Sequence, residues 1–157
     1  MSALEIVRSM IEYHTAMTRR VWDSISHITE EQFLVEDAYS HGSICNMMVH
    51  LASTDRRWLA GLKNLPDVGH VKFEEHPSSE SAWALSEQVA KDVTDYVAML
   101  TVSELEQNPN NVPASRWQVL IHLVNHGTDH RATVLQKLHA LGAPTFDQDF
   151  ILRLWKR

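Results

Sequence analysis

A chain of 157 residues, 44% of them hydrophobic, is one soluble globular domain by length and composition, spanning 1–157 and large enough to bury a sizeable core. A net charge of −6 with no basic cluster argues against a nucleic-acid partner held through phosphates, and there is no apolar run of the ~18 residues needed to span a membrane. The single cysteine, Cys45, forbids an internal disulfide, and Glu5 and Arg8 break up the N-terminal apolar residues where a signal peptide would be continuous, so a cytoplasmic location is expected.

Taken in order, the elements are helical. Ser2 with Glu5 forms a capping box opening a first helix over residues 3–28. Its stripe is Leu4, Val7, Ile11, His14, Thr18, Val21, Ile25 and Ile28, with His14 read as a core-edge histidine whose hydrogen bonds are satisfied. Thr29 and Gln32 repeat the capping signature for a short turn ending near Leu34, and residues 35–42 read as loop. Ser43 caps a second long helix over 44–63, with Met47, His50, Leu51, Thr54 and Trp58 facing inward. Cys45 lies ~140° around that helix from His50 and is read as a small buried thiol.

Residues 65–77, with Pro66, Gly69 and Pro77, form a linker long enough for a crossover between helices that are not tight antiparallel neighbours. Its His70 and His76 read as solvated. A third helix over 80–100 carries the stripe Ala82, Leu85, Val89, Val93, Tyr96, Val97 and Leu100. A turn-rich break at 108–113 precedes Ser115, which caps a fourth helix stopped by Gly142 and Pro144. A short helix is expected over 147–155. No strand alternation, repeat or glycine-rich phosphate loop is present. Four long amphipathic helices define an all-α four-helix bundle with a short C-terminal helix. The fourth helix is apolar over a wide arc, because Leu120, Val124, Leu135 and Leu138 lie outside its main stripe. That width predicts a homodimer, with Leu120, Val124 and Leu135 as contacts.

The ten histidines are the compositional oddity, and three of them, His122, His126 and His130, recur at four-residue spacing. Two histidines four apart share one helix face and can bind one ion. Eight residues separate their positions by ~12 Å, so His122 and His130 do not easily share one. With Leu123, Gly127, Val134 and Leu141 marking the buried direction, His130 lies ~20–40° from it, His126 ~60–80° and His122 more than ~100°, which favours His126 with His130. A third ligand must come from a facing helix. His50 is the other histidine central on an inner face, with His14 second. Gly127, unfavourable within a helix by roughly 1 kcal/mol, marks a close approach by another backbone or a ligand. Asp129 is expected to face outward. Arg131 is expected further round still, meeting a partner carboxylate, a dimer contact or a surface ion pair.

The stretch His122-Leu-Val-Asn-His-Gly-Thr-Asp-His-Arg131, then Leu138, Gly142 and Asp149, resembles the C-terminal signature of the DinB superfamily, and Ser43 to Trp58 resembles its second helix. The resemblance implies an up-down-down-up bundle with a crossover connection, usually dimeric, holding a divalent ion such as zinc or nickel on His50, His126 and His130. Relatives of this kind include thiol-dependent transferases using bacillithiol, mycothiol or glutathione, metal-dependent hydrolases, and many with no known reaction. The expected function is therefore a metal-dependent transferase using a low-molecular-weight thiol. The alternatives are a metal-dependent hydrolase and a non-catalytic metal-binding stress protein; no membrane or nucleic-acid partner is implied.

Overall fold

The computed structural model describes residues 2–155, and its elements over that span are helices. They are α1 (Ala3–Ile25), α2 (Glu30–Leu34), α3 (Ile44–Leu62), a 3-10 turn (Phe73–Glu75), α4 (Ser79–Met99), α5 (Val102–Leu105), α6 (Arg116–Ala140) and α7 (Phe150–Trp155). The starts follow from their caps. The Ser2 amide donates to Glu5 Oε2 at 2.6 Å, and Asn46 and Gln32 amides donate to the hydroxyls of Ser43 and Thr29.

Helix α1 stops three residues short of the predicted 28. The His27 and Ile28 amides reach only to the carbonyls of Ser24 and Ile25, so the last turn tightens while Ile28 still packs on the core. The apolar stripe runs through the tightened turn, and periodicity alone cannot see the change. The short α5 lies where no helix was expected. Its Thr101–Glu104 capping box is the signal, with the Thr101 amide donating to Glu104 Oε2 at 2.9 Å.

Cross-helix bonds fix the helix directions. Arg8, early in α1, donates to the carbonyls of Val97 and Ala98 late in α4, and Arg19 pairs with Glu87 near the start of α4. These two helices are antiparallel. His50 and Trp58 of α3 meet His130 and His122 of α6 in reversed order, so this pair is antiparallel too. Early α1 shares one apolar cluster with early α6, and late α1 shares another with late α6, so those helices run parallel. Helices α3 and α4 are parallel neighbours by the same criterion. The bundle is therefore up-down-down-up. The segment from 63 to 78 must return the length of α3, which at 1.5 Å per residue is roughly 28 Å. That is why this connection is long.

Because α6 packs on both α1 and α3, its wide apolar arc is consumed inside one chain. Leu120, Val124 and Leu135 are 0%, 4% and 8% exposed. They are core residues and are removed as dimer contacts; a dimer, where formed, uses other surface. Among the described residues, no helix is long and apolar enough to cross a membrane.

Between the two apolar clusters runs a buried polar layer. Arg131, expected at the surface, is 0% exposed. Its Nε donates to Gln148 Oε1 at 2.8 Å, its NH2 to Thr128 Oγ1 at 3.2 Å, and its NH1 to Thr18 Oγ1 at 3.3 Å and His14 Nδ1 at 3.0 Å. An arginine only donates, so Nδ1 of His14 accepts and its proton sits on Nε2, which donates to Asp55 Oδ2 at 2.8 Å. His14 thus joins a buried cation to a buried carboxylate across the bundle, and both its nitrogens are satisfied, as expected. The Tyr13 hydroxyl donates to the Gln148 carbonyl, and Phe150 stacks edge-on against Tyr13, so the same layer clamps the C-terminal segment.

The layer also explains Gly127. A Cβ there would lie 2.3 Å from His14 Cε1, 2.5 Å from its Nδ1 and 2.7 Å from Arg131 NH1. The close approach is a side chain, where the sequence suggested backbone or ligand. Since His14 is held at both nitrogens, it cannot swing aside. Gly127→Ala is expected to lose about 1–3 kcal/mol through overpacking, set against about 1 kcal/mol of helix propensity gained. A urea midpoint above that of the parent would refute this account of the glycine.

Candidate metal centre

Helix periodicity brings His126 and His130 to one face of α6, and the antiparallel α3 presents His50 to them. The ring centroids of His126 and His130 are 4.3 Å apart, those of His50 and His130 4.9 Å, and those of His50 and His126 5.4 Å. His122 is exposed; its ring meets Trp58 at 5.3 Å and His126 at 5.7 Å, outside the centre of the group. The loop preceding α3 adds His41, which the sequence reading left unassigned. Its ring stacks on His50 at 3.8 Å and lies 5.6 Å from His130. Among the described residues, His41, His50 and His130 form the group of three whose ligand nitrogens all lie within 4.8 Å of one another. The signal for His41 was faint. It is a histidine beside a glycine, just ahead of the Ser43 cap, where a left-handed Gly42 (φ +83°) turns the chain back toward the helix.

His70 is close but engaged. Its ring is 6.0 Å from His50, yet its Nε2 accepts from Arg57 at 3.0 Å, so its Nδ1 proton faces the Ser53 hydroxyl at 3.3 Å. It is exposed, as expected for a linker residue. His76 departs from its solvated reading. It is half-buried, its Nδ1 lies 3.1 Å from the Ser81 carbonyl, and its own carbonyl accepts from Cys45 Sγ at 3.3 Å. Burial pushes the Cys45 thiol up to about 11, which makes it a poor thiolate at neutral pH. Asp129 is exposed, as expected.

The donor set suits a divalent ion. Burial, reinforced by the neighbouring histidines, lowers His50 to about 3 and His126 to about 4, and lowers His41 and His130 in the same direction. The cluster therefore presents neutral imidazoles, each with a free lone pair, which is the form that binds metal. His126 Nδ1 is buried with no hydrogen-bond partner, and so is Asp55 Oδ1. Such orphaned buried atoms are rare and call for a ligand or an ordered group. Four facing imidazoles without a carboxylate among them match the nitrogen preference of zinc, nickel or copper better than that of calcium or magnesium.

A cavity of about 570 Å³ opens beside the cluster, lined in part by His50, Arg57, Trp58, Val112, His122 and His126. A second, of about 270 Å³, lies on the other side of His50 against His41, His70 and Phe73. The first is large enough for a small-molecule ligand and mixes apolar walls with a few polar groups. Asp55 bonds His14 through Oδ2 and keeps Oδ1 without a hydrogen-bond partner, and Asp67 at the cavity wall pairs with Arg57 at 2.6 Å.

Compared with models of protein families, the chain matches the one described as the DinB family over residues 1–156. Among curated proteins nothing matches it.

Proposed function

As the chain belongs to the DinB family, we propose that it is a metal-binding protein whose ion is held by His50, His126 and His130, and that it acts as a transferase using an external low-molecular-weight thiol. The observation that carries the metal reading is the convergence of half-buried, neutral imidazoles from α3 and α6 beside an open cavity. Bound there, a zinc or nickel ion would supply positive charge that favours the thiolate form of a thiol. The chain's own part is to present uncharged nitrogen donors, to keep the His14–Arg131 layer rigid behind them, and to offer the cavity walls at Trp58 and Val112 to a substrate.

The choice of thiol over water as nucleophile rests on ease of ionisation, and that thiol comes from outside the chain. Cys45 is buried and held protonated, so the thiol must be external. A thiol starts near pKa 8.5, far below water, and needs less help from the ion to be anionic at neutral pH. Asp67 is bonded to Arg57, and Asp55 is oriented through Oδ2 by His14. Hydrolysis is the runner-up.

About one divalent ion per chain is expected after expression in metal-supplemented medium. Alanine at His50, His126 or His130 should abolish it, and His122→Ala should retain most of it. Elemental analysis with a chelator control decides the matter, and an empty His122→Ala beside a full His130→Ala would overturn the choice of pair. The reaction is tested by supplying electrophiles with and without bacillithiol, mycothiol or glutathione. Turnover that needs thiol and disappears in His50→Ala supports transfer, while ester or amide cleavage without thiol supports hydrolysis.

A further inference from the structure

One histidine of the cluster comes from a loop. We propose that His41 is a fourth ligand to the same ion, delivered by the segment between α2 and α3, so that departure of this loop opens the position through which a substrate reaches the metal. This inference rests on the metal reading above and adds to it a ligand that lies outside the long helices.

The geometry carries it. A ring nitrogen of His41 lies within 4.8 Å of nitrogens on both His50 and His130. Tetrahedral nitrogen ligands at zinc stand roughly 3.4 Å apart, so bringing His41, His50 and His130 to that spacing needs movements of about 1.4 Å or less, within reach of small side-chain rotations, while His126 joins them from α6 with its ring centroid 4.3 Å from that of His130. His41 is also placed by a built loop. Its carbonyl accepts from Asn46 Nδ2 at 3.0 Å, and the next carbonyl, that of Gly42, accepts from Lys137 Nζ at 2.9 Å. Lys137 pairs as well with Asp37 at the other end of the loop. The chain turns through left-handed residues on both sides of His41, Ser40 at φ 55° and Gly42 at φ 83°. Ser40 has a Cβ, and holding it in that region is unfavourable unless surrounding contacts fix it. A solvent-facing histidine needs none of this. The bonds to Asn46 and Lys137 turn the loop over the metal-binding face.

The four rings divide by mobility. His50, His126 and His130 sit in the middle of long helices and cannot leave without unfolding a turn. His41 is attached through a short loop whose tethers are two side chains, Asn46 and Lys137. Three fixed ligands and one releasable ligand form a site that is closed at rest and open when the loop lifts.

The test uses the full-length protein stripped with chelator and titrated with zinc against a competing chelator, with cobalt(II) as a spectroscopic probe of the ligand set. His41→Ala is expected to weaken zinc binding at least ~10-fold, the lower end of what even indirect partners of a metal site contribute. It should also change the position and intensity of the cobalt absorption, because water oxygen replaces an imidazole nitrogen in the ligand set. His41→Phe keeps an aromatic ring stacked on His50 but carries no nitrogen, and is expected to lose the same affinity and show the same spectral change. Zinc affinity and cobalt spectrum at the parent level in His41→Phe would make His41 a packing ring and overturn the proposal, as would parental behaviour of His41→Ala. Failure of the metal reading itself would look different. In that case the parent takes up no zinc, or His50→Ala binds as tightly as the parent.

Discussion

Replacing Arg131 with methionine is expected to destabilise the bundle by about 3–5 kcal/mol, the range seen when one partner of a buried charge pair is removed. The side chain is 0% exposed and makes four side-chain hydrogen bonds, to Gln148, Thr128, Thr18 and His14. Methionine fills most of the volume, so the loss reports charge and hydrogen bonding more than a cavity. With Arg131 gone, Asp55 is left as a buried carboxylate whose compensation ran through His14, and Gln148 loses the donor that anchors the C-terminal segment. For a domain of this length each kcal/mol shifts Tm by roughly 2–4 °C, so a fall of roughly 6–20 °C is expected. Limited proteolysis near residues 146–150 should quicken as well, since Tyr13 and Arg131 hold that segment from the same side. A loss below ~1 kcal/mol in chemical unfolding would mean that the layer is hydrated and that the charge pair is not truly desolvated. The double variant Arg131→Met with Asp55→Asn should recover part of the loss, because the uncompensated charge is then absent.

Arg131 also shows where sequence reading stops. The four long helices and their caps were legible because each rests on a repeating signal along several turns, whereas the order up-down-down-up came from the family resemblance. Ser2, Thr29, Ser43 and Ser115 announced the starts, and α1's stripe of Leu4, Val7, Ile11, Thr18 and Val21 is buried as its spacing requires. The inward order of His130, His126 and His122 was legible for the same reason: 100° per residue places them, and the first two are half-buried while the third is exposed. An arginine inside the core carries no such signal. Its burial depends on His14, 117 residues away in the sequence but adjacent in space, and composition gives a default of exposure. Gly127 was noticed as an anomaly, yet its cause, a histidine ring from α1, required the packed structure. His41 was missed because loop residues have no periodicity, and the turn that aims it depends on two left-handed residues and a lysine from α6. The dimer contacts failed for a related reason. A wide apolar arc says that a helix is covered on two sides, and α1 and α3 provide both.

The second large effect expected is that of the ion on stability and its dependence on pH. Zinc at a thousand times its Kd should raise the unfolding free energy by about 4 kcal/mol, because it binds the folded histidines and not the dispersed ones of the unfolded chain. Without metal the sign follows from the lowered histidines. The folded pKa values of His50 and His126 are about 3 and about 4, against about 6.5 in the unfolded chain. Between those limits the unfolded state binds protons that the folded state does not, so stability falls as pH drops from 6.5 toward 4 and is unaffected by these two groups above about pH 7. Zinc affinity should behave differently. His50 and His126, already deprotonated at pH 5, meet no proton competition there, and His130 is lowered in the same direction, so the affinity of the folded protein should fall less from pH 7 to pH 5 than ordinary histidines require. Three histidines of ordinary pKa would instead lose up to about tenfold per ligand for each pH unit below 6.5. Calorimetric titration of zinc at pH 5, 6 and 7, with proton release read from the buffer dependence of the enthalpy, separates the two. Release well below one proton per histidine at pH 6, with His50 and His126 contributing almost none, is the expected result. Release approaching one proton per histidine would show that the cluster is solvated and protonated before the ion arrives, and that burial does not prepare it for metal.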